Sequence, residues 1–422
     1  MRKTRIRMTI AVLIIVMFVL MFSGCDSDDK ASEIIIKSKI NLVYPRDGSG
    51  GIQRLMSEFE DLRGDVTINA MELPGDKDGY FEGYTAAIAA NQRPPDIMIL
   101  HDTWLTELAS KGFIQSLDDG RNIEVEKYYF PGMAEAVTWN ESKYGVPLWQ
   151  DMPLLYYRTD LVASPPNTWS ELVRMAEDTM EGFDLSHGLI FPASDVEARA
   201  SFMASLLISH NALPDFSQSE IVFDAPNLRS AFDQLIRMLE GEVLTRNVLD
   251  MSIEDCRQVF ESGDASYMIN WSYAARLLNR EDSPLAGRAD NAPVPMGSSS
   301  YEAQGLMSGW VMALSSQTQQ GDMAQAIIGF LMGNNNQERM AVENGQMPAK
   351  VALYNSGAWQ KATSISQVLP EMVDSGIPLK IGPNPEKGLY LLSDLLVRAF
   401  NGASSQDLLS YLITETGLEP TT

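Results

Sequence analysis

Trp149 and Asp151 stand two residues apart in the stretch Val146-Pro147-Leu148-Trp149-Gln150-Asp151. On a strand, residues i and i+2 face the same side. A flat ring and a carboxylate on one face suit a polyhydroxylated solute: the ring covers apolar C–H surfaces, and the carboxylate is an acceptor-only partner for hydroxyls. A solvated hinge surface is the other reading of the same pair. Covalent chemistry finds less support. The chain has no His-Glu-x-x-His, no Gly-x-Ser-x-Gly, no phosphate-cradling glycine loop and no Cys/His metal cluster. Its three histidines, His101, His187 and His210, are far apart in sequence. With 56 acidic residues, a glycosidase-like carboxylate pair stays open as an alternative.

The elements that must position these residues follow from periodicity. Ile40 to Tyr44 reads as a strand, and Ile52, Leu55, Met56 and Phe59 follow helical spacing after Gly48-Ser49-Gly50-Gly51. Val66 to Ala70 is a second strand, Tyr80 to Ala90 a helix, and Pro95 to Leu100 a short apolar strand of the buried parallel kind. A helix from Thr103 to Lys111 ends at Gly112. This β-α order predicts a doubly wound parallel sheet, with ligands at the carboxyl ends of its strands. That directs attention to 44–48 and 101–104. Asp47 is an acceptor candidate there, or simply a turn residue. Thr168-Trp169-Ser170-Glu171 is a capping box. Asn291 to Pro295 reads as an extended return connection and Gly309 to Leu314 as a strand. Met323 to Met332 reads as a helix broken by Gly333-Asn334-Asn335-Asn336, and Asn344 to Ala349 as a third crossing. Helices are expected from Gly388 to Phe400 and from Ser405. A chain that leaves one α/β lobe and returns makes two discontinuous lobes around a cleft.

Arg2, Lys3, Arg5 and Arg7 precede an apolar run from Ile10 to Phe22, which is short for a membrane span. Ser23-Gly24-Cys25 follows, the pattern of a bacterial lipoprotein leader, with Phe22 a departure from its usual leucine. Cys25 is the expected lipidation site. Only Cys256 then remains, so no intrachain disulfide is expected. The formal charge of −24, without a basic cluster, disfavours nucleic acid or anionic lipid as partners.

Five segments in order carry a resemblance. They are Pro95-Asp96-Ile97 with Lys111 to Asp118, Lys143 to Arg158, Phe260 to Trp271, Ser308-Gly309-Trp310 with Val311 to Ser315, and Gly345-Gln346-Met347-Pro348-Ala349. Together they resemble the family 1 sugar-binding branch of extracellular solute-binding proteins of ABC importers. Met268-Ile269-Asn270-Trp271-Ser272-Tyr273-Ala274, and Pro147 to Arg158 with Asp151 at an aspartate position, are similar to trehalose/maltose-binding relatives. The resemblance implies a two-lobed periplasmic-binding-protein-like (type II) α/β fold, each lobe a doubly wound sheet flanked by helices, with the ligand cleft between them. Its organisation would be a leader at 1–24, a lipidated Cys25 and tether at 25–38, one lobe from 39–146 plus 296–345, and the other from 147–295 plus 346–422.

The resemblance also implies site residues. Trp271 lies at the family's ligand tryptophan, with a core tryptophan as the alternative. Gly309 matches a position where the sugar approaches the backbone, and Trp310 follows it. His101 stands where the family commonly has aspartate. Either it donates to a hydroxyl or its neighbour Asp102 accepts. Lys380 sits where relatives carry an arginine. The implied ligand is a disaccharide or oligosaccharide, with an α-linked glucoside first. The implied partners are permease subunits and, through Cys25, a membrane face. A monomer with neither cofactor nor metal nor catalytic activity is expected. A non-transport surface sensor on the same fold would look the same in sequence.

Overall fold

β1 (Ser38–Tyr44), β2 (Val66–Glu72) and β3 (Ile97–His101) run parallel, with β1 between the other two. They form in a computed structural model that describes residues 37–417, apart from 46–49, 74–80, 82, 84, 87–94, 119–124, 219–220, 303, 363–364, 366–368 and 385–387. The leader, Cys25, Asp47 and most of the helix expected at 80–90 lie outside the described residues. The Gly51–Arg63 helix buries Ile52, Leu55, Met56 and Phe59, the face its spacing predicts. Gly64, at φ 71°, ends it in the left-handed conformation that glycine adopts without strain.

A small hairpin, β4 (Thr138–Trp139) and β5 (Ser142–Lys143), precedes β6 (Val146–Asp151) and β7 (Pro153–Arg158). Then come β8 (His187–Ile190), β9 (Ala265–Trp271), β10 (Ala289–Ala292), β11 (Leu306–Leu314), β12 (Met347–Pro348) and β13 (Ile377–Pro378). Two sheets result. The larger has the order β12-β6-β11-β3-β1-β2, with β13 also on β11, and the smaller β10-β7-β9-β8. Each sheet with its helices makes a lobe. The chain steps from the larger sheet to the smaller at the single buried residue Met152, between β6 and β7. It returns between β10 and β11. It leaves again after β13, for two helices, Leu389–Phe400 and Ser405–Thr416, that pack on the Val196–Ser209 and Ala225–Glu240 helices of the smaller lobe.

Neither sheet is all-parallel. β11 runs antiparallel to β3 and β6, and in the smaller sheet only the β8–β9 pair is parallel. Parallel neighbours need a crossover connection. β11 arrives from the other lobe, so that constraint does not act on it. The expected break at 333–336 is also smaller than its composition suggests. Only Met332 and Gly333 separate the Gly321–Leu331 helix from the next, Asn334–Asn344. Asn336 donates to the Phe330 carbonyl and Gln337 to the Gly333 carbonyl, so the corner satisfies its own backbone.

The capping box at Thr168 forms as the sequence predicts, and its Trp169 is fully buried, donating to Ser209 Oγ at 2.8 Å. The Trp169 amide binds the Met296 carbonyl, tying this helix to the returning chain. Cys256 is buried and burial pushes its thiol pKa far up, so the group is a small core hydrophobe.

His210 packs against the same returning chain. A Cβ on Gly297 would lie 2.5 Å from its ring, so only glycine fits beside it. Burial, with Arg237 adding to it, lowers the His210 pKa from the usual 6.5, while the Leu206 carbonyl raises it. The folded state therefore disfavours the imidazolium. Below about pH 6.5 the unfolded chain takes up a proton that the folded chain resists, and stability falls. A melting temperature that declines between about pH 6.5 and 5, and declines less in His210→Gln, is the expected result. Equal slopes in the two proteins would remove His210 as the cause.

Candidate functional site

β3, β11 and β6 lie side by side, and their register builds the site. Trp310 on β11 is opposite His101 on β3 and opposite Trp149 on β6, and Ser308 is opposite Asp151. Directly opposed residues share a face. Trp149, Trp310 and His101 therefore form a row across three strands, with Ser308 and Asp151 beside it. The β6–β11 pairing slips by one residue between Trp310 and Val311, so Leu148 is a bulge, and bulges re-aim neighbouring side chains. The Trp310 ring lies 6.1 Å from Trp149 and 5.4 Å from His101, edge-on to the latter at 86°. Trp104, from the Asp102–Ser110 helix, closes the cluster at 5.7 Å from Trp310 and 5.8 Å from His101. These offset and edge-on arrangements are the favoured ones for aromatic pairs. Trp310 is half-buried, and Trp149 and Trp104 are buried.

His101 and Asp102 enter one buried network. His101 Nε2 lies 3.0 Å from Ser308 Oγ, and its Nδ1 2.7 Å from Thr103 Oγ1 and 3.1 Å from Asp102 Oδ1. Asp102 also accepts from Ser308 Oγ at 2.9 Å. Nothing local in the sequence marks Ser308 as the link between His101 at the end of β3 and Asp102 at the start of the following helix.

Asp151 accepts from the Met152 amide at 2.9 Å and the Ser272 amide at 2.8 Å. It thus joins the end of β6 to the end of β9, where Trp271 sits. Trp271 is 8% exposed and opposite Pro153. Its carbonyl accepts from Tyr156 Oη at 2.8 Å, and its ring lines a small cavity of about 20 Å³ with Pro153, Phe191, Pro192, Ala198 and Ser201. Tyr156 is fully buried, and that burial raises its pKa well above 10.0, so it acts as a neutral donor.

Gly309 answers to protein packing. A Cβ there would come 2.5 Å from the Trp149 carbonyl oxygen and 2.9 Å from Met133 Cε. The atoms that demand glycine belong to β6 and to the Pro131–Ala136 helix.

Lys380 bridges Glu135 at 2.6 Å and Asp215 at 3.8 Å, and the hydrogen bond it donates to Glu135 raises its pKa. It lines a crevice of about 310 Å³ together with Asp102, Thr103, Thr106, Glu135 and Gln218. One wall comes from the helices that pack on the larger sheet, and the other from 217–218 and 380–383 on the side of the smaller. Ile381 bridges Phe216 there.

The residue the sequence hid is Glu197. It lies on the Val196–Ser209 helix of the smaller lobe, is 3% exposed, and accepts from Trp104 Nε1 at 2.6 Å and Thr103 Oγ1 at 3.2 Å in the larger lobe. The Asp195 N-cap predicts only that Glu197 falls in a first turn. Its partner 93 residues away has no local signature. Among the described residues no three His, Cys, Asp or Glu side chains are grouped to hold a metal ion, and no helix is long and apolar enough to cross a membrane. Among the described residues, the side chains of His187 and His210 hydrogen-bond with Thr245, Leu206 and Ser209. The cluster offers rings for apolar faces, and carboxylates and hydroxyls for polar edges.

The sequence pattern of bacterial extracellular solute-binding proteins matches residues 54–367. Over 298 residues the chain is 26% identical to a probable ABC transporter-binding protein of Deinococcus radiodurans, an overlap of 68% of this chain and 70% of that one. A maltose-bound protein of T. maritima superposes with a TM-score of 0.80 at 24% identity, over 90% of this chain and 99% of the other. An ABC transporter solute-binding protein from Agrobacterium radiobacter K84, in complex with ribitol, superposes with a TM-score of 0.75 at 17% identity, over 91% and 100%. The two superpositions establish the fold as the two-lobed, periplasmic-binding-protein-like one.

Proposed function

The chain belongs to the bacterial extracellular solute-binding proteins, and on that premise we propose that it captures a sugar between its lobes and delivers it to the permease of an ABC importer. The observation that carries this reading is the row Trp149–Trp310–His101 across three inner strands of the larger sheet, set beside Asp151, Asp102 and Ser308. Flat rings beside fixed acceptors match the two kinds of surface a sugar presents. The crevice of about 310 Å³ sits at the lower end of the roughly 300–1,000 Å³ range of ligand sites. A disaccharide or oligosaccharide with an α-linked glucose is the first choice, supported by the Met268 to Ala274 stretch and by the maltose in the T. maritima structure. The ABC importer as partner is supported by the name of the Deinococcus radiodurans relative. Lipid anchoring through Cys25, on the outer or periplasmic face of a membrane, rests on the leader pattern.

Capture works by closure. Sugar enters between the open lobes; Asp102 lines the crevice, whereas Trp310, Trp271 and Asp151 lie outside its lining and meet solute only as the lobes move and water leaves. Lys380, which lines the crevice and pairs with Glu135 and Asp215, is a further donor. A panel of maltose, trehalose, maltotriose, sucrose, glucose, ribitol and xylo-oligosaccharides tests the reading through thermal denaturation. A solute that binds only the folded chain at one hundred times its dissociation constant adds about 2.7 kcal/mol of stability. A concentration-dependent rise with an α-glucoside is expected. Silence across every sugar in the panel, with a rise for an amino acid or dipeptide run beside it, would overturn the reading.

A further inference from the structure

Glu197 reaches from one lobe to the other and finds two donors there. Its own helix is fixed within the smaller lobe: Asp195 accepts from the Ala198 amide at 2.7 Å, and Arg199 donates to Ser393 Oγ and to the Ala193 carbonyl, both at 2.8 Å. The donors are equally fixed. Thr103 Oγ1 is held by His101, and Trp104 stands edge-on to Trp310. The indole–carboxylate distance of 2.6 Å is that of a short, charge-assisted bond. A carboxylate this deeply buried is costly unless such donors replace its water. The donors come from across the crevice, so closing the lobes supplies them and opening returns Glu197 to solvent. The bridge also stands at the centre of the site. Thr103 lines the polar crevice with Lys380, while Ala198, next to Glu197, lines the cavity with Trp271. Lys380 adds a second bridge, from Asp215 to Glu135.

We propose that Glu197 is a closure latch, a side chain of the protein that makes across the crevice the hydrogen bonds that hold the lobes together before any solute arrives. The inference rests on the reading that the lobes open and close on a solute, and it sets how that site is regulated. The ligand-free chain populates the closed form, and solute enters through the open minority. Apparent affinity then depends on the latch as well as on the contacts to solute.

Small-angle X-ray scattering of the solute-free protein tests this without any sugar, after unfolding, dialysis and refolding to strip carried-over ligand. The parent is expected to have the radius of gyration of the closed structure. Glu197→Ala and, independently, Trp104→Phe are each expected to increase it, with cooperative melting retained. Trp104→Phe removes the donor while keeping an aromatic ring, so it decides the matter if Glu197→Ala does not fold. A parent already larger than the closed structure, or variants with the parent's radius, would overturn the latch. Neither result bears on whether the solute is a sugar, which the melting panel decides separately.

Discussion

Trp271→Ala lowers affinity for the glycan that stabilises the parent by more than tenfold, while the chain still melts cooperatively. Tenfold corresponds to about 1.4 kcal/mol, a modest demand on a ring proposed to contact the solute. The same substitution removes a side chain only 8% exposed, and truncating a buried tryptophan costs about 3–5 kcal/mol of stability. A protein of this size has a core large enough to survive that loss, but melting must be measured beside binding. Trp271→Phe separates the two effects, since it keeps most of the apolar fill of the cavity shared with Phe191 and Pro192 while shortening the platform. Calorimetric titration of all three proteins is the check. Equal affinity in parent and Trp271→Ala would make Trp271 a core residue that only caps β9.

Gly309→Ala is expected to damage stability and binding together. Its Cβ would meet the Trp149 carbonyl at 2.5 Å, and that oxygen belongs to backbone and cannot rotate away. Overpacking of this kind costs about 1–3 kcal/mol. Relief requires β6 to move away from β11, which shifts Trp149 and Asp151 relative to Trp310 and Ser308. Chemical denaturation should show a lower midpoint, and titration a weaker affinity. An alanine variant as stable as the parent, with weaker binding alone, would instead mean that solute and not β6 occupies the space beside Gly309.

How much of this was legible in the sequence differs by the range of the interaction. The Gly51–Arg63 helix and the Thr168 capping box depend on residues three or four apart, and both form as their spacing dictates. Trp149 and Asp151 share a face for the same local reason. Strand direction was not legible: β11 arrives from the other lobe and runs antiparallel to β3 and β6 but parallel to β13. The break at 333–336 was overestimated because asparagine is a turn former on average, whereas Asn336 here turns its amide back to the preceding helix. Glu197 with Trp104, Ser308 with His101, and Lys380 with Glu135 join residues from 93 to 245 positions apart. Such pairs are set by tertiary packing, and a single sequence carries no trace of them.

A crystal structure of the chain with the glycan that raises its melting temperature most would test the central claim most directly. The account predicts that sugar lies between the lobes, with a face on Trp310 or Trp271 and hydroxyls on Asp102 or Asp151. Sugar bound elsewhere on the surface, with this crevice unchanged, would contradict it.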